Sequence, residues 1–172
     1  MIMLKKLTPF FIAIVLVNCS QPAAEKTAVF DKIIFHSSTC FGTCSAYHLE
    51  LLGDKTFHLY KEVIFENDSL DPAEAGYYSG TAENLSFEII EKQLKELNID
   101  TVTFPASICC DGSLITIIVY HDGKRKYLQS MFPPDKSAEL LTALFRICGQ
   151  EKIKKENKPY RFEYTEDGKS YK

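Results

Sequence analysis

His36, Cys40, Cys44 and His48 stand at intervals of four residues. Imidazole nitrogens and thiolates are ligands for zinc and copper, so the first chemistry to weigh is a metal centre. Four-residue spacing aligns side chains on a helix. Gly42, the Ser37-Ser38-Thr39 run and β-rich sequence on both sides instead favour a loop between two strands, with the histidines at the strand ends. The competing chemistry is oxidation. Cys40 bonded to Cys44 leaves no thiolate for a metal, and the glycine in Phe41-Gly42-Thr43 suits so short a loop. The bridge is the favoured reading. A redox role is weakly signalled, because such sites use Cys-x-x-Cys at a helix start and here three residues intervene.

The other cysteines follow the same logic. Cys148 falls on the apolar face of a helix, and its candidate partners are Cys109 and Cys110. Such a bridge closes a loop of about 40 residues and contributes about 4 kcal/mol on the chain-entropy model. The alternative is that Cys148 is a small buried hydrophobe. Gly-x-Ser-x-Gly and His-Glu-x-x-His are missing. Gly168-Lys169-Ser170 mimics the end of a phosphate loop, but Glu163 stands where that loop needs glycine. No cofactor or catalytic residue is implied. His48 and His58 fall on the polar phases of their strands and are expected to face water. Tyr77, Tyr78, Tyr160, Phe162 and Tyr164 are candidates for a sugar- or peptide-binding face, with packing as the commoner use of such rings.

Disulfide chemistry needs an oxidising compartment, and the N-terminus supplies a route to one. Lys5 and Lys6 precede an apolar stretch from Leu7 to Val17, too short to cross a bilayer. Leu16-Val17-Asn18-Cys19 follows and resembles the lipobox of bacterial lipoproteins, with Asn18 where a small residue is usual. The resemblance implies that residues 1–18 are a signal peptide and that Cys19 is acylated, anchoring the chain to a lipid bilayer. Ser20 follows Cys19, which by analogy favours the outer membrane, facing the periplasm or the cell surface. Residues 19–28 read as a tether. Without Lys5 and Lys6, 18 basic residues face 23 acidic ones, a net charge of −5. That balance argues against a nucleic-acid partner.

The elements that must position these residues are legible from periodicity. The 172 residues are 45% hydrophobic and 25% charged, which fits one folded domain. Residues 29–35 read as a first strand. Tyr47, Leu49 and Leu51, then Phe57 and Leu59, alternate with polar residues on either side of a Gly53-Asp54 turn. Residues 76–81 read as a short strand. A helix is expected over 86–97, with Ser86 as its cap and Phe87, Ile90, Leu94 and Leu97 on one stripe. Residues 114–120 read as the central strand, Asp122-Gly123 as a hairpin turn and 125–132 as the return. A second helix opens at Asp135 and ends before Gly149, with Ser137, Leu141, Leu144 and Cys148 on one face.

The fold class expected is α+β: an antiparallel sheet built from hairpins, with two helices on one face, in the order hairpin-helix-hairpin-helix. The single domain is expected over 29–150. Residues 151–172 read as a charged C-terminal extension, with Tyr160, Phe162 and Tyr164 forming a candidate edge strand.

Cys40-Phe41-Gly42-Thr43-Cys44 followed by Tyr47 resembles the Cys-Phe-Gly-x-Cys-Pro-x-Tyr motif of an uncharacterised family of bacterial envelope lipoproteins, a domain of unknown function. The family's proline is Ser45 here, and the resemblance runs over about Ile33 to Cys148. It implies fold and location and carries over no catalytic residue. The function expected is a membrane-anchored, non-catalytic binding module with a protein or glycan partner. The alternative is a thiol- or metal-dependent envelope enzyme using Cys40 and Cys44 with nearby histidines.

Overall fold

A computed structural model of the chain describes residues 28–40, 44–64, 69–106 and 111–168. The signal peptide, Cys19, nearly all of the tether, Phe41 to Thr43, Cys109 and Cys110 lie outside the described residues.

The architecture is α+β. Strands β1 (Lys32–Ser37), β2 (Ala46–Leu52), β3 (Thr56–Glu62) and β4 (Gly76–Thr81) form an antiparallel meander. Helix α1 (Asn84–Glu96) follows, then the hairpin of β5 (Ile115–His121) and β6 (Lys124–Ser130). A 3-10 turn (Asp135–Ser137) leads into α2 (Ala138–Cys148), and β7 (Lys154–Glu156) comes last. The sheet order is β6-β5-β1-β2-β3-β4-β7, and every neighbouring pair is antiparallel. The chain therefore leaves the sheet at one edge, crosses its helical face as α2, and rejoins it at the other edge. Among the described residues, no helix is long and apolar enough to cross a membrane.

Period-two alternation sorts the side chains onto two faces. Leu128, Ile117, Phe35, Leu49, Leu59 and Tyr78 form one cross-strand row on the helical face. They pack against Phe87, Ile90 and Leu94 of α1 and Leu140, Leu144 and Ile147 of α2 in a single buried cluster. Gln93 ties the two helices together by donating to Glu96 and to Glu139. Gln150 accepts from the Glu83 amide and donates to the Thr81 carbonyl, pinning the end of α2 to the start of α1. At the Asp122-Gly123 turn both residues take positive φ, the conformation that a two-residue hairpin with right-handed strand twist demands.

Several sequence expectations are corrected. The N-cap of α1 is Glu83, and Ser86 lies inside the first turn with a buried hydroxyl that has no hydrogen-bond partner among the described residues. Asp135 opens the 3-10 turn and α2 begins after Ser137, whose hydroxyl donates to the Pro134 carbonyl. The buried stripe of α2 runs through Leu140, Ala143, Leu144, Ile147 and Cys148. The terminal edge strand is Lys154–Glu156. Tyr160 to Tyr164 do not form it. They run instead across the sheet face opposite the helices, in a segment (residues 157–168) that we call the strap.

Candidate functional site

One cross-strand row on the strap side spans all seven strands: Gln129, Thr116, His36, His48, Tyr60, Tyr77 and Glu156. The next contains Tyr127, Ile118, Ile34, Glu50, His58 and Ser79. A face with Ile34 and Ile118 at its centre needs a cover, and the strap supplies it. Tyr160 stacks on His58 with ring centroids 4.1 Å apart, and its hydroxyl donates to the Glu50 carboxylate. Glu50 also pairs with Lys32 at 3.4 Å. Burial, then the hydrogen bond to Glu50, pushes the Tyr160 phenol well above its usual range.

The far end of the strap is clasped by Arg125. Its guanidinium donates to the Glu163 carboxylate at 2.8 Å and to the Thr165 and Glu166 carbonyls at 2.7 Å each. Tyr120 donates to the other Glu163 oxygen at 2.7 Å. The Glu163 carbonyl accepts from His36 Nε2 at 2.6 Å. Charge-assisted bonds from a guanidinium to a carboxylate are among the stronger polar contacts, so Arg125 holds the strap in register.

Beneath the strap, His36 is fully buried (0% exposed) and His48 half-buried. Their Nδ1 atoms lie 2.8 Å apart. Burial first, then the neighbouring His48, lowers the His36 imidazole to about 3, and burial lowers His48 as well. Both rings are therefore neutral at neutral pH. The expectation that His48 faces water is corrected, because Phe162 and Tyr164 lie over it.

His48, Tyr60, Glu62, Tyr77, Tyr160, Arg161, Phe162 and Tyr164 line a pocket of about 460 Å³ between the sheet and the strap. That volume lies within the range of small-molecule sites, about 300–1,000 Å³. Tyr60 and Tyr77 are 4.8 Å apart at one wall, and Tyr160 and Phe162 are 5.0 Å apart at the other. Burial, then Glu62 and Tyr77, raises the Tyr60 phenol, so its hydroxyl is a donor throughout the neutral range. The pocket thus combines ring faces with phenols, one carboxylate, one guanidinium and an imidazole.

Of the sequence candidates, Tyr77, Tyr160, Phe162, Tyr164 and His48 come together here. Tyr78 does not, because it packs on the helical face. Cys40 and Cys44 are bonded to each other, with Cα atoms 5.3 Å apart. Among the described residues no cluster of three or more His, Cys, Asp or Glu is placed to hold a metal. Among the described residues Cys148 is a free, buried thiol, which agrees with the reading of it as a small hydrophobe. It serves as a small apolar residue of the core, and burial pushes its thiol far above the reactive range. Cys109 and Cys110, its expected partners, fall outside the described residues.

Sequence reasoning missed Glu50, Tyr60, Glu62, Arg125, Arg161 and Glu163 as parts of one site, and it missed His36 as a buried ring. Ile33-Ile34-Phe35 and Ile117-Ile118-Val119 carried the signal. A strand with apolar residues on both phases is covered on both faces. No family model, curated protein or solved structure matches the chain.

Proposed function

We propose that this chain is a lipid-anchored binding module of the bacterial envelope, tethered through acylated Cys19, whose strap-side pocket takes a short glycan. The lining of the pocket carries the reading. A sugar ring offers apolar C–H faces to aromatic walls and hydroxyl edges to polar groups, and this pocket presents both kinds of surface. Glu62 and Arg161 offset each other, which favours a neutral ligand over a charged one. The Leu-Val-Asn-Cys sequence at 16–19 supports the anchor and an envelope location. The resemblance to envelope lipoproteins points the same way.

Co-sedimentation of the domain with isolated peptidoglycan sacculi tests the glycan reading. The wild-type domain is expected to pellet saturably, and Tyr77→Ala to bind about tenfold more weakly, the equivalent of about 1.4 kcal/mol. Failure of the wild-type protein to pellet, or equal pelleting by the variant, contradicts it. Separately, Cys19→Ser is expected to leave the membrane fraction, and unchanged fractionation contradicts the anchor.

A further inference from the structure

We infer that His48 presents an unprotonated Nε2 to the pocket as the acceptor for a ligand hydroxyl or N–H, and that His36 is the positioning residue that fixes this state. The identity of the ligand rests on the glycan reading, but the placement of the protons does not.

A carbonyl oxygen only accepts, so His36 Nε2, 2.6 Å from the Glu163 carbonyl, must carry a proton. In a neutral ring its Nδ1 then has only a lone pair. The 2.8 Å contact between the two Nδ1 atoms needs one proton, and His48 must supply it. His48 is therefore the Nδ1–H tautomer, and its Nε2 is a bare acceptor. Nε2 sits at the end of the ring away from the backbone, and no hydrogen bond among the described residues engages it. His48 lines the pocket.

The surroundings favour neutral rings. Thr116 of β5 flanks His36, and Tyr60 and Glu62 approach from β3. From the strap come Arg161, Tyr164 and Glu163, whose carboxylate is already engaged by Arg125 and Tyr120. No ion pair among the described residues involves either imidazole.

Imidazole nitrogen NMR of the free protein at pH 7.5 tests the proton arrangement. His48 is expected to show a protonated Nδ1 and a pyridine-like Nε2, and His36 the reverse. A protonated Nε2 on His48, or an imidazolium, overturns the inference. Calorimetric titration with chitotriose, a β-1,4-linked trimer of N-acetylglucosamine, tests the acceptor. His48→Phe is expected to lose tenfold or more in affinity. His48→Gln, whose amide oxygen is an acceptor near the Nε2 position, is expected to recover part of it. A wild-type protein that binds beside an equally tight His48→Phe overturns the acceptor role alone. A wild-type protein that does not bind overturns the glycan reading and the acceptor role with it, and the NMR result still decides the tautomer.

Discussion

His36 and His48 face each other across β1 and β2 with their Nδ1 atoms 2.8 Å apart, under a strap that comes from more than a hundred residues away in the chain. The Cys40–Cys44 bond closes the loop between these two strands. The four residues that look like a metal set in the sequence are thus split into two functions. The cysteines fix a loop and the histidines form a polar pair under the strap.

That pair makes stability depend on acid. His36 is held at about 3 in the folded protein and returns to about 6.5 when unfolded. As pH falls through that window the unfolded chain binds a proton that the folded chain refuses, so stability drops. The loss on going from pH 7 to pH 3 is expected to be on the order of 4 kcal/mol from His36. Urea denaturation across this range checks it. His36→Phe should flatten the slope, and an unchanged slope contradicts the assignment.

Arg125 is expected to be the main clasp of the strap. Arg125→Ala removes its bonds to Glu163, Thr165 and Glu166 and leaves the Glu163 carboxylate without its guanidinium. Charge-assisted bonds of this kind contribute about 1.5–3 kcal/mol, and partial exposure places the expected loss near the low end. Hydrogen exchange should accelerate across residues 160–166 while the helices keep their protection. Uniform acceleration throughout the domain would contradict a local clasp.

The Cys40–Cys44 bond closes a very short loop, and the chain-entropy model assigns it about 2 kcal/mol. Reduction is therefore expected to lower stability by about that amount without unfolding the domain. Thermal denaturation with and without reductant measures this. Unfolding at room temperature on reduction would show that the bridge carries more than the loop.

Cys148 is expected to resist alkylation in the native protein and to react once denatured, because its thiol is buried and held protonated. Peptide mapping after maleimide labelling reads this at the single residue. Rapid native labelling of Cys148 would contradict its place in the core.

Much of the scaffold was legible because it depends on short-range pattern. Alternation in Tyr47, Leu49 and Leu51 marked β2, and the 3–4 spacing of Phe87, Ile90 and Leu94 marked α1. The site was less legible because it joins β2, β3 and β4 to the strap, which no local period encodes. Tyr160, Phe162 and Tyr164 do alternate, as an edge strand would. Their partners turned out to be His58, His48 and His36 on the sheet face opposite the helices instead of a neighbouring backbone. Ser86 looked like a cap because a polar residue preceded an apolar stripe, but the helix starts a turn earlier and buries it.

The most direct measurement is chemical-shift mapping of the labelled domain titrated with chitotriose. The predicted result is saturable change confined to His48, Tyr60, Tyr77, Tyr160 and Phe162. The contradicting result is no change there, or change centred on the larger cleft between Phe30, Lys55 and Phe87 on the other side of the molecule.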